Sequence, residues 1–160
     1  MPSKAVLLAD TLLKQDEILS ELLDNILRQR EALKEGRLSD LQDIMSDLRH
    51  VSVRCQAIET KRLRSAEVLS KDLGCDSVVS SIAAALRAAG DEERTDEAQI
   101  IEDSAKKMLG TVNKLKMEMT ILSRLMDEAK TLNEMLITEW QRLSQKFLGA
   151  GSMGTFDTRI

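Results

Sequence analysis

Between Ile101 and Phe147 the chain keeps one apolar rhythm without a slip. Ile101, Ala105, Met108, Val112, Leu115, Met119, Leu122, Met126, Ala129, Asn133, Leu136, Trp140, Leu143 and Phe147 follow one another in alternating steps of four and three. That spacing keeps every one of them on one side of an α-helix, whereas a half-buried strand would alternate in twos. Asn133 is the only polar residue in the series. At about 1.5 Å of rise per residue the helix would run roughly 75–80 Å. A helix of that length needs helical neighbours to cover its seam, so the expected fold is an all-α, elongated antiparallel helical bundle or coiled coil.

Two earlier segments supply the neighbours. Leu8, Leu12, Gln15, Leu19, Leu22, Ile26, Gln29 and Leu33 repeat the same alternation, and Leu23 and Leu27 widen the stripe as a bundle helix requires. Gly36 ends this helix with a residue suited to a left-handed C-terminal cap. Ser39, with Gln42 three residues on, is expected to open the second helix as a capping box. Its seam runs through Leu41, Ile44, Leu48, Val51, Cys55, Ile58, Arg62, Ser65 and Leu69 to a stop at Leu73-Gly74. The short connection makes these two an antiparallel hairpin. DSVVSSIAAALRAAG then reads as one short helix with Val79, Ile82 and Leu86 on a face, and DEERTDE as a charged loop that caps the last helix at Thr95 or Asp96. The expectation is three long helices plus one short one, at about 3–35, 40–73, 77–89 and 96–148, in a single domain 1–148 with a flexible Gly-rich tail 149–160.

Composition agrees and excludes several function classes. The chain has 160 residues, no Tyr and one Pro, and is rich in helix formers. Its 23 basic and 27 acidic residues are interspersed, with no basic stripe and few aromatics for base stacking, which argues against nucleic acid as a partner. MPSKAVLLADTLLK lacks the apolar core of a signal peptide, and no uncharged stretch is long enough for stable membrane insertion. A cytoplasmic location is expected, with Cys55 and Cys75 as separate thiols.

Chemistry is sparse. One histidine, His50, on the flank of the second helix, and two separated cysteines make no metal-ligand spacing. There is no phosphate loop, nucleophile elbow or zinc-protease motif, and the carboxylates lie among Lys and Arg at helical spacings. No catalysis and no cofactor are expected. Arg62 reads as a seam arginine with a packed stem and a wet head, and Asn133 as a polar residue that fixes register. Met108, Met119 and Met126 read as core fillers, or else as part of a plastic apolar surface.

The last helix outruns the hairpin, so part of its apolar face is surplus. From Ile121 a second stripe, Ile121, Leu125, Leu132 and Met135, runs beside the first. This surface could pack on its own bundle, on a second copy in a homodimer, or on a partner's amphipathic helix.

REALKEGRLSDLQDI, then Leu48, Ile58, Arg62, Leu69 and Leu73-Gly74, resembles the N-terminal half of FlgN-like flagellar chaperones. TLNEMLI at 131–137 resembles that family's asparagine-leucine stretch, and TFDTR at 155–159 its aromatic-aspartate tail motif. The resemblance implies a cytoplasmic export chaperone without a cofactor. Its clients would be hook-associated flagellar proteins, those of the hook–filament junction, whose amphipathic terminal helices it keeps competent for the type III apparatus. It places client contact on Leu132, Met135, Leu136, Trp140, Leu143 and Phe147. It also places docking on the flagellar export gate at Phe156, where the family has tyrosine. The alternative is a homo-oligomeric coiled-coil scaffold using the same face on itself.

Overall fold

The structure, a computed structural model, describes residues 1–148, and side chains as far as Lys146. It is an all-α helical bundle. Among the described residues there are four helices and no strand: α1 (Lys4–Glu35), α2 (Leu38–Leu73), α3 (Val79–Ala88) and α4 (Glu92–Leu148). The expected tail at 149–160 lies outside the described residues. The chain divides into two compact units, Met1–Met119 and Thr120–Ile160.

Local chemistry sets the helix ends. The Ser3 hydroxyl accepts from the Val6 N–H at 3.2 Å and starts α1. Gly36, at φ 68°, stops it: the Gly36 and Arg37 N–H groups close back on Leu33 and Ala32, and the chain enters α2 at once. Ser39 is therefore already inside α2. The residue before the helix is Arg37, whose side chain makes no capping bond, so the expected capping box is not formed. Gly74, at φ 67°, closes α2 the same way. α4 begins at Glu92, ahead of the expected 96, because the Asp91 carboxylate accepts from the Glu93 N–H at 3.3 Å and acidic residues fill the first turn. Thr95 lies within the helix, its hydroxyl bonded to the Asp91 carbonyl.

The core of the first unit joins all four helices. Ala5, Leu8, Ala9 and Leu12 of α1 meet Ala66 and Leu69 of α2, Ile82, Ala83 and Leu86 of α3, and Ala98 and Ile101 of α4. A helix as short as α3 is marginal alone and is held by this burial. Every seam position of α2 from Leu41 to Leu69 is buried or half-buried, as its spacing requires.

Polar side chains tie the hairpin in register. Asn25 is wholly buried and donates from Nδ2 to the Ile44 carbonyl at 2.8 Å, while its Oδ1 accepts from Gln29 Nε2 at 2.7 Å. Gln15 donates to Glu59 at 2.6 Å, and Arg62 Nε donates to the same Glu59 oxygen at 2.8 Å. Arg62 is thus ion-paired and half-buried rather than presenting a free head to water. Lys4–Asp72, Arg54–Glu21 and Arg28–Asp47 also bridge α1 and α2. On its other side α1 meets α4: Thr111 donates to the buried Asp16 carboxylate, and Arg30 pairs with Glu118 at 2.7 Å.

Candidate functional site

The face of α4 beyond Met119 differs from the rest of the bundle. From Ile101 to Leu115 the seam is buried or half-buried. Further on, Met119 is 51% exposed and Met126 43%, so neither serves as the core filler that the pattern suggests. Met108 does, packing half-buried against the four-helix cluster. Asn133 is exposed, so it fixes no helix register. In the second unit Leu122 is buried and Ile121 and Leu125 are half-buried; then the apolar face opens.

Leu132 is 58% exposed, Met135 61%, Leu136 60%, Trp140 52% and Leu143 43%. At about 100° of turn per residue these five fall within an arc of about 140°. They therefore form one face rather than a scatter of single side chains, and it is the grouping that is informative. Ile137 and Gln141 are half-buried and Ser144 is buried, all lying round the helix from that face, a distinction the four-three pattern does not make. The side chain of Phe147 and the whole of Phe156 lie outside the described residues.

By the same rule Glu139 falls within that arc, between Met135 and Leu132, and pairs with Arg142 at 2.7 Å along the same helix. Glu128 and Lys146 lie at neighbouring angles, so charges of both signs separate Met135 from the other four. The groups with displaced titration lie elsewhere. Hydrogen bonds from Arg62 hold the Glu59 carboxyl below the usual value, and Arg87 does the same to Glu102, joining α3 to α4. Burial pushes the Cys55 thiol up, partly opposed by Arg54. Cys55 and Cys75 are both free thiols.

His50 is exposed on α2, on its flank as expected. Among the described residues no three His, Cys, Asp or Glu side chains are grouped to hold a metal ion. No described helix is long and apolar enough to cross a membrane. The residues that sequence reasoning missed are Asp16 and Asn25. Their one signal is position: Asn25 stands four residues before Gln29 and beside Ile26, on the same face. Compared with protein-family models, with curated proteins and with solved structures, the chain matches none of them.

Proposed function

We propose that this chain is a cytoplasmic helical binding protein of the FlgN-like export-chaperone type. It would hold an amphipathic terminal helix of a hook-associated flagellar protein against α4 until export. The observation that carries this reading is the open apolar face formed by Leu132, Met135, Leu136, Trp140 and Leu143. The order of motifs in the sequence names the class of client. Binding and release of this kind need no bound nucleotide or metal, only an apolar face that water leaves on contact.

The magnitudes suit a reversible complex. Moving a Leu or Met from about three-fifths exposed to buried is worth roughly 1–1.5 kcal/mol, and five such residues supply on the order of 6 kcal/mol before any polar contact. A gross term of that size corresponds to about 40 µM before the entropy of association is subtracted, so a micromolar complex needs polar and flanking contacts beside these five.

The test is a titration of the full chain with C-terminal helical segments of hook–filament junction proteins, followed by Trp140 fluorescence. A saturable change at micromolar concentration, weakened about tenfold by Leu136→Ser, is expected. No spectral change and no heat with any segment, together with concentration-dependent dimerisation in sedimentation, would replace this reading with the scaffold one.

A further inference from the structure

We infer that α4 opens locally at residues 110–113 while the four-helix core stays folded. This opening belongs to the first unit alone and does not depend on the binding role proposed above.

Gly110, Thr111, Val112 and Asn113 all come from the weak end of the helix-propensity scale. Elsewhere in α4 no more than two such residues stand together. Strong formers bracket the run: Ala, Lys, Lys, Met and Leu at 105–109, and Lys, Leu, Lys, Met, Glu and Met at 114–119. Neither backbone geometry nor packing calls for the glycine. Gly110 is not among the glycines at positive φ, and a Cβ built on it meets no atom within 4 Å. Its physical effect is therefore on the helix itself: it leaves the unwound chain more freedom, which favours local opening.

What holds α4 differs on the two sides of the run. Before it, Ala98 and Ile101 are wholly buried with Leu8, Leu12, Ile82 and Leu86, and Ala105 and Met108 pack against them. Opening there would uncover the core that all four helices share. Within the run and after it, Val112 is half-buried, Leu115 is buried and Met119 is half-exposed, while Thr111 bonds to Asp16 and Glu118 to Arg30. Opening there uncovers two large apolar side chains and returns Asp16, a buried carboxylate, to water, which offsets part of the loss. Few apolar contacts are what a locally opening segment requires. When residues 110–113 unwind, their own N–H groups leave their acceptors, and the N–H groups of 114–117 lose the carbonyls of 110–113. Residues 110–117 are therefore the stretch that the opening exposes to solvent.

The test is hydrogen exchange of the full chain, followed amide by amide by NMR at a series of low urea concentrations. The amides of 111–117 are expected to be less protected than those of 101–108. Their protection should also depend less on urea, as it does when an opening exposes little surface. Gly110→Ala is expected to raise protection at 111–117 about four- to fivefold, the factor that corresponds to the glycine–alanine difference in helix propensity. The added methyl touches nothing, so the substitution reads propensity alone. If 111–117 and 101–108 share one protection and one urea dependence, α4 opens together with the core and the inference is overturned. Unchanged protection at 111–117 in Gly110→Ala overturns it as well, since the opening would then not pass through this run.

Discussion

Asn25 and Gln29 make a prediction whose sign depends on pairing rather than on polarity. Asn25 is wholly buried and Gln29 nearly so; the Asn25 carbonyl oxygen is the acceptor for Gln29 Nε2, at 2.7 Å. In Asn25→Leu the heavy-atom count and branching are kept and the Ile44 carbonyl keeps its place in the α2 ladder, but the Gln29 amide loses its acceptor inside the bundle. A buried donor left without a partner costs about 1–3 kcal/mol. With a urea dependence of about 2 kcal/mol/M, that lowers the unfolding midpoint by roughly 0.5–1.5 M. Adding Gln29→Leu removes the orphan. The double variant is expected within about 1 kcal/mol of the parent, or more stable, because replacing both partners by apolar groups of similar shape removes the desolvation cost. The assay is urea unfolding followed by helical circular dichroism at neutral pH, with the coupling energy taken from the double-mutant cycle. A double variant as unstable as the sum of its singles would refute the reasoning, since the cost would then come from shape and not from the unpaired amide.

Leu12→Ala, at a wholly buried position in the four-helix core, should cost about 2–5 kcal/mol in the same assay. Gly74→Ala meets no atom within 4 Å of the added Cβ, yet its φ of 67° is strained for any side chain. A loss of about 1 kcal/mol is expected from backbone strain alone. Because Arg62 holds the folded pKa of Glu59 below its unfolded value, its contribution is present above the ordinary carboxylate pKa and is lost as pH falls through the depressed one. Glu59→Gln should therefore lose less stability than the parent on acidification through that window, read as the shift in urea midpoint. The raised pKa and partial burial of Cys55 predict slow alkylation by iodoacetamide in the folded chain and fast alkylation in urea, read by peptide mass spectrometry.

The fold was legible where periodicity and burial express the same constraint. The seam of α2 could be read position by position because all of it is buried or half-buried against the bundle, and glycines 36 and 74 could be read because a left-handed cap needs them. The interior of α1 was less legible. A pattern of apolar and polar letters does not distinguish a buried polar group with a partner from an exposed one, so nothing in it marks Asp16 and Asn25 as buried. The start of α4 was misplaced for a local reason: Asp91 caps as well as Thr95 or Asp96, and it comes first. Met119 and Met126 show the opposite limit. Their spacing says that they share the seam of α4; it does not say whether anything covers it.

The two departures from ordinary burial, amides inside α1 and leucines outside α4, have different consequences for specificity. A hairpin whose seams both step by four and three could slide by a heptad and still match apolar to apolar. Sliding breaks the bond from Asn25 to Ile44 and the link from Gln15 to Glu59, leaving buried polar groups without partners, so the polar contacts select a single register. Along the exposed face of α4, Asn133 is exposed and Glu139 pairs with Arg142, and most of the large exposed side chains there are Leu, Met and Trp, which accept contacts from many shapes. The chain therefore specifies its own assembly with buried hydrogen bonds and leaves the face proposed for a partner apolar and tolerant of register. On the binding role proposed above, such a face would hold helices of differing sequence through apolar contact and release them by returning that surface to water.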